Sequence, residues 1–149
     1  MNIGEILSPE RVIERLRVSK KAELLEQLAH RAAADTGLEE TQIIAGLDAR
    51  DRLGSTGIGQ GIALPHARIN GLGRPYGLFA RLEQPLDFDA IDGKAVDLVF
   101  LLLVPESSDR EHMTALAAIS RKLRDCKITS RLRDSATAAE IYECLVNSF

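Results

Sequence analysis

The 149-residue sequence is poor in cysteine, with only Cys126 and Cys144, 18 residues apart and outside any C-x-x-C pattern. Neither a disulfide framework nor a zinc-type cysteine cluster is expected, and the pair reads as reduced thiols in a cytoplasmic protein. Positive charge is not in excess either. Nineteen Lys and Arg stand against 22 Asp and Glu, a net charge of −3, which argues against nucleic-acid binding by bulk electrostatics. Long apolar runs are missing: the longest, Leu98 to Val104, has seven residues, too few to cross a bilayer, so no membrane insertion is expected. The opening residues Met1-Asn2-Ile3-Gly4-Glu5 carry no basic and apolar export signal. No internal repeat, low-complexity tract or linker-like stretch divides the chain, so one domain is expected over residues 1–149.

What remains is an ordinary globular composition, 45% hydrophobic and 28% charged. A chain of ~150 residues buries roughly 70% of its unfolded surface, enough to fold without a disulfide or metal. Val12 to Val18 reads as a short strand, followed by a helix that Ser19 can cap and Gly37 stops, with Leu24, Leu25, Leu28 and Ala32 on one face. A second helix is expected from about Glu39 to Ala49, and strands over Tyr76–Leu82 and Lys94–Val104. The apolar run inside the last strand has no polar alternation, which suits a central strand covered on both faces. After Pro105, Ser108 and Glu111 form a capping box for a helix reaching about Asp125, and shorter helices follow over Lys127–Leu132 and Ala136–Leu145. Helices flank strands at both ends of the chain, so the expected architecture is an α/β sandwich around a mixed sheet.

The unusual segment is Leu53-Gly54-Ser55-Thr56-Gly57-Ile58-Gly59-Gln60-Gly61-Ile62-Ala63-Leu64-Pro65-His66. It is not a dinucleotide fingerprint, because Gly57-x-Gly59-x-Gly61 runs into Leu64-Pro65 rather than into a helix. It is not a Walker A loop, because no Gly-Lys-Ser/Thr follows. The glycines suit bulged or turning strands. Ser55 and Thr56 supply hydroxyls, the backbone around Gly57 can approach an oxyanion closely, and Arg50 upstream offers a planar fork of donors. Pro65 stiffens the chain just before His66. A rigid imidazole beside such donors suits nucleophilic capture of a phosphoryl group, with Ser55, Thr56 and Gly57 as candidate phosphate ligands.

Of the other two histidines, His30 lies late in the first helix and reads as a surface residue. His112 falls in the first turn of the helix after Pro105, where the dipole favours its neutral form. It reads equally well as a donor facing His66 or as a half-buried helix residue. The separations of 36 and 46 residues between histidines, with no H-x-x-x-H pair, give no metal site, and no G-x-S-x-G elbow is present.

Gly-Ile-Gly-Gln-Gly-Ile-Ala-Leu-Pro-His-Ala, with Ala49-Arg50 16–17 residues before the histidine, resembles the signature of phosphotransferase-system IIA domains of the mannitol/fructose type. The likeness extends along the chain and is greatest to the nitrogen-regulatory IIA branch, given the preceding Leu-Gly-Ser-Thr-Gly-Ile-Gly and the absence of attached IIB or IIC domains. The resemblance implies a mixed five-stranded sheet flanked by helices on both sides, a three-layer sandwich. It also implies His66 as the phosphorylated histidine, Arg50 as the active-site arginine and His112 as the second histidine supporting the phosphoryl group. The implied donor is an HPr-like phosphocarrier charged from phosphoenolpyruvate, and no cofactor is implied. In that branch the domain is a phosphotransferase component that acts on regulatory partners of the kinase or potassium-transport type. A sugar-specific IIA feeding a separate IIB, and a binding module that needs no phosphate, remain alternatives. Two positions depart from the pattern: Gln60 stands where Asn is common, and Ala67 where Gly is frequent. Phe79, Leu82, Leu86 and Phe88 are expected to leave apolar surface near the site for a docking carrier. The six basic residues against two acidic ones from Arg121 to Asp134 read as a solvated helix face.

Overall fold

Every residue from Leu98 to Val104 is fully buried, and the surrounding architecture explains why. The computed structural model describes residues 2–107 and 109–147, with only the backbone at Asp109 and Glu111. The apolar run lies in β6 (Val96–Pro105), which pairs antiparallel with β5 (Tyr76–Leu86) along one edge. Along its other edge it pairs in parallel with two short strands in tandem, β3 (Ile62–Ala63) and β4 (His66–Ile69). β1 (Val12–Leu16) joins β5 in parallel and β2 (Gly57–Gly59) closes the far edge against β3. The mixed sheet thus has six strands but is five wide, in the order β1-β5-β6-β3-β2 with β4 beside β6.

Helices cover both faces. α1 (Lys21–Thr36) and α2 (Glu40–Arg52) bury Leu24, Leu28, Ile43 and Leu47 against Val99, Leu101 and Leu103. α3 (Asp109–Arg124), α4 (Cys126–Asp134) and α5 (Ala138–Val146) bury Ile119, Leu123, Leu132 and Ile141 against Leu98, Phe100 and Leu102. Alternate side chains of β6 therefore feed two cores, as a strand between two helical layers requires. Among the described residues no helix is long and apolar enough to cross a membrane.

Local details differ from the expected pattern where backbone geometry decides. Gly37 ends α1 in the left-handed conformation as expected, but its N-cap is Lys20; Ser19 contributes its backbone N–H instead, donating to Glu23 Oε1 at 2.8 Å. α2 runs past Ala49 to Arg52, so Arg50 lies in its last turn. Of the capping pair, Ser108 and the side chain of Glu111 lie outside what the structure describes. In the β2–β3 turn, Gln60 and Gly61 have φ of +58° and +82°, the paired positive values of a type I′ hairpin. Asn tolerates that conformation better than Gln. Here Gln60 is held by its N–H to Asp92 Oδ2 at 2.9 Å and its carbonyl to Arg133 Nη2 at 2.7 Å. Gln60→Asn is expected to stabilise the fold by about 0.5 kcal/mol, read as a rise in Tm of ~1–2 °C, since those backbone bonds survive the change.

Candidate functional site

Pro65 delivers His66 to the first position of β4, opposite Leu102 of β6. Ala67 and Ile69 point into the core beneath α1 and α2, so His66 faces the opposite layer, towards α3. Its Nδ1 lies 2.8 Å from the Leu64 carbonyl oxygen. A carbonyl only accepts, so Nδ1 carries the proton and Nε2 the lone pair. Arg50 Nε donates to that Nε2 at 3.2 Å, and Arg50 Nη1 donates to the Gly54 carbonyl at 3.0 Å. Arg50 reaches the imidazole from the other helical layer because β4 is the outermost strand at this end of β6. Gly46 lets α2 lie close against β4: a Cβ there would sit 3.0 Å from Ile69 Cδ1 and 3.3 Å from Ala67 Cβ. On α3, His112 meets His66 edge to face, with ring centroids 5.3 Å apart and planes at 64°.

Three side chains from two helices and a strand thus converge, although they are 16 and 46 residues apart in sequence. Burial pushes the His66 pKa below the ordinary histidine range; the Leu64 hydrogen bond opposes this, while the Arg50 charge and the neighbouring His112 reinforce it. At neutral pH the result is an uncharged imidazole whose nucleophilic nitrogen faces a guanidinium. His30 is remote from this arrangement, exposed and bonded through Nδ1 to Glu40 Oε1 at 2.7 Å. Among the described residues no group of three or more His, Cys, Asp or Glu is placed to hold a metal ion.

The neighbouring loop is organised inward. Ser55 Oγ donates to the Phe88 carbonyl at 2.7 Å and accepts from the Gly57 N–H at 3.0 Å, so both groups are engaged within the chain. Thr56 is buried, and its carbonyl accepts from Leu64 N–H at 2.8 Å, tying the loop to the residue that holds His66. A Cβ on Gly57 would lie 2.9 Å from Ala90 Cβ, so this glycine admits the loop after β5 to close approach.

Phe79, Leu82, Leu86 and Phe88, expected as apolar docking surface, are instead all buried: the first three lie on β5 between two helical layers, and Phe88, just beyond it, packs into the core under α1 and α2. Among the described residues, the large apolar side chains that are exposed are Leu53, Ile91 and Met113, at 84%, 88% and 66%. Leu53 follows α2 three residues after Arg50, Ile91 N–H contacts the Gly57 carbonyl at 3.5 Å, and Met113 follows His112. Hydrophobicity alone does not mark them. Their one sequence signal is adjacency to Arg50, the glycine-rich segment and His112.

The family described as "Phosphoenolpyruvate-dependent sugar phosphotransferase system, EIIA 2" matches residues 5–148. A nitrogen regulatory protein of Bradyrhizobium diazoefficiens is 44% identical over 145 residues, covering 97% of this chain and 95% of its own length. The crystal structure of nitrogen regulatory protein IIA-Ntr from Neisseria meningitidis superposes with a TM-score of 0.91 at 37% identity, over 96% of this chain and 98% of that one. Mannitol IIA from Escherichia coli, at 19% identity, shares the fold with a TM-score of 0.78 over 93% of this chain and 98% of its own.

Proposed function

Because the chain belongs to the EIIA 2 family of the phosphoenolpyruvate-dependent sugar phosphotransferase system, we propose that it is a cytoplasmic histidine phosphocarrier with a regulatory output in nitrogen metabolism. The observation that carries this reading is the His66 imidazole, with Nδ1–H engaged by Leu64 and Nε2 turned to Arg50. The donor is a phosphohistidine on an HPr-like protein. The Nε2 lone pair forms the new P–N bond as the donor's P–N bond breaks, and the departing imidazole keeps the electron pair. The proton on Nδ1 stays in place, and the Leu64 carbonyl stabilises the positive charge that the ring gains. Arg50 Nε leaves the lone pair as phosphorus arrives and turns its N–H groups to the phosphoryl oxygens, where a bidentate guanidinium is most effective. His112 borders the same space and donates to a phosphoryl oxygen. Ser55, Thr56 and Gly57 complete the phosphate side of the site by holding the loop that carries Leu64 and closes on Phe88. Positioning and electrostatics supply most of the rate, as expected for phosphoryl transfer.

Leu53 and Met113, exposed three residues after Arg50 and one after His112, would offer apolar contact to a protein donor reaching His66. Likeness to nitrogen regulatory proteins over nearly the whole chain supports a regulatory output, through partners such as kinases or potassium transporters. The test is transfer from radiolabelled phosphoenolpyruvate through an enzyme-I-like kinase and an HPr-like carrier, followed as a function of pH. Protonation of Nε2 removes the nucleophile. The lowered pKa therefore predicts one acid-labile phosphoryl group per chain, with acceptance constant through neutrality and halved only below about pH 6.5. Absence of label, or a midpoint above that pH, overturns the reading. Rapid passage of the label to a purified IIB and on to a sugar replaces the regulatory output with a transport one.

A further inference from the structure

A second polar concavity shares no residue with the His66 site. A pocket of about 470 Å³ opens between the C-terminal end of α1, the loop joining β4 to β5, and the start of β5. Arg11, Asp35, Leu72, Arg74 and Tyr76 are among the residues that line it. Its floor is rigid. The buried Tyr76 phenol donates to Asp35 Oδ2 at 2.5 Å, and burial together with Asp35 holds its pKa far above the ordinary tyrosine value, so it remains a donor. Asp35 Oδ2 also lies 3.4 Å from Arg31 Nε. Arg31 in turn donates to the Glu10 carbonyl, fixing the backbone immediately before Arg11. The one carboxylate in the pocket is therefore already shared between a phenol and a guanidinium.

Arg11 stacks its guanidinium 4.5 Å above the centre of the Tyr76 ring. A guanidinium held over a ring face can still donate through its N–H edges. Arg74 precedes Pro75, which restricts its backbone to extended conformations and limits where the side chain can reach. Among the described residues neither Arg11 nor Arg74 has an ion-pair partner within 4.0 Å. Arg11 and Arg74 thus outnumber Asp35 among the residues lining one concavity of a chain whose net charge is −3. Leu72 adds an apolar wall for a carbon skeleton.

We propose that this pocket is a binding site for a small dianion, a phosphate monoester or a dicarboxylate, held by Arg11 and Arg74. Planar guanidinium donors match both oxyanions. The experiment is a calorimetric titration of the full chain with inorganic phosphate and, separately, with succinate, repeated on Arg11→Gln/Arg74→Gln and on Arg50→Gln. Saturable binding of at least one probe is expected with Kd below ~1 mM. It should weaken at least tenfold in the double variant and stay within twofold in Arg50→Gln, which separates this pocket from the His66 site. Binding of phosphate alone assigns the monoester class, of succinate alone the dicarboxylate class, and of both the shared oxyanion chemistry. Should the double variant melt early, Arg74→Gln decides alone, because its side chain is exposed and is expected to cost threefold or more in affinity. Saturation by neither probe, or loss in Arg50→Gln with retention in the arginine variants of the pocket, overturns the proposal. So does equal binding by wild type and folded variants. Phosphoryl acceptance at His66 is expected to be unchanged in the double variant, so failure of this proposal leaves the carrier reading standing.

Discussion

His66→Ala is expected to accept no phosphoryl group, with labelling reduced by at least ~10³-fold while the melting temperature moves by only a few degrees. Removing a nucleophile removes the covalent step itself, so the loss far exceeds that of any supporting group. The fold tolerates the change because the ring is half-buried at a sheet edge and its two hydrogen bonds go to Leu64 and Arg50 rather than into either core. The measurement is acid-labile radiolabel in wild type and variant, with circular dichroism confirming equal folding. Label persisting in His66→Ala at wild-type level moves the acceptor elsewhere, and His112, with its ring 5.3 Å away, is the group to examine next. In the wild type, the Leu64 hydrogen bond further predicts attachment at Nε2. Phosphorus–nitrogen coupling that placed the group on Nδ1 requires breaking that 2.8 Å bond and contradicts the tautomer assigned above.

The sequence makes the layers visible more readily than the site. Leu98 to Val104 has no polar alternation, so a strand covered on both faces follows directly, and Leu24, Leu28 and Ala32 mark the buried stripe of α1. The glycine-rich stretch is harder: its three short strands are defined by hydrogen bonds to one another and to β6, which no side-chain periodicity encodes. Burial of individual apolar residues is equally hidden. Phe88 is buried and Ile91 exposed three positions later, a difference set by which layer each meets rather than by side-chain chemistry. Arg50 and His66 meet around a sheet edge, so their convergence follows from family likeness and not from spacing. The Leu64 contact is the exception: with Pro65 restricting the intervening backbone, an i to i+2 bond to the next imidazole is a local consequence of Leu-Pro-His.

Phe100→Ala is the complementary experiment, with a large effect on stability and little on chemistry. Phe100 is fully buried in the middle of β6, edge to face with Phe79 at a centroid distance of 6.3 Å and 66°. Its ring also fills the space beside Gly77, where a Cβ would come within 3.0 Å of it. Truncating such a side chain typically costs ~3–5 kcal/mol, from lost transfer free energy and a residual cavity. Collapse is resisted here because β6 is hydrogen-bonded on both edges and packed between two helical layers. Against a total stability of ~5–15 kcal/mol, that loss should lower Tm by roughly 10 °C. Urea unfolding should show a lower midpoint with an unchanged slope, the signature of a destabilised native state that exposes the same surface on unfolding. At a temperature where the variant is still folded, phosphoryl acceptance should stay within about threefold of wild type, since Arg50, Leu64 and His66 meet on the opposite edge of β6 from Phe79. A Tm drop below ~3 °C means that neighbouring side chains refill the cavity, and the two cores are then less tightly coupled through β6 than their packing implies.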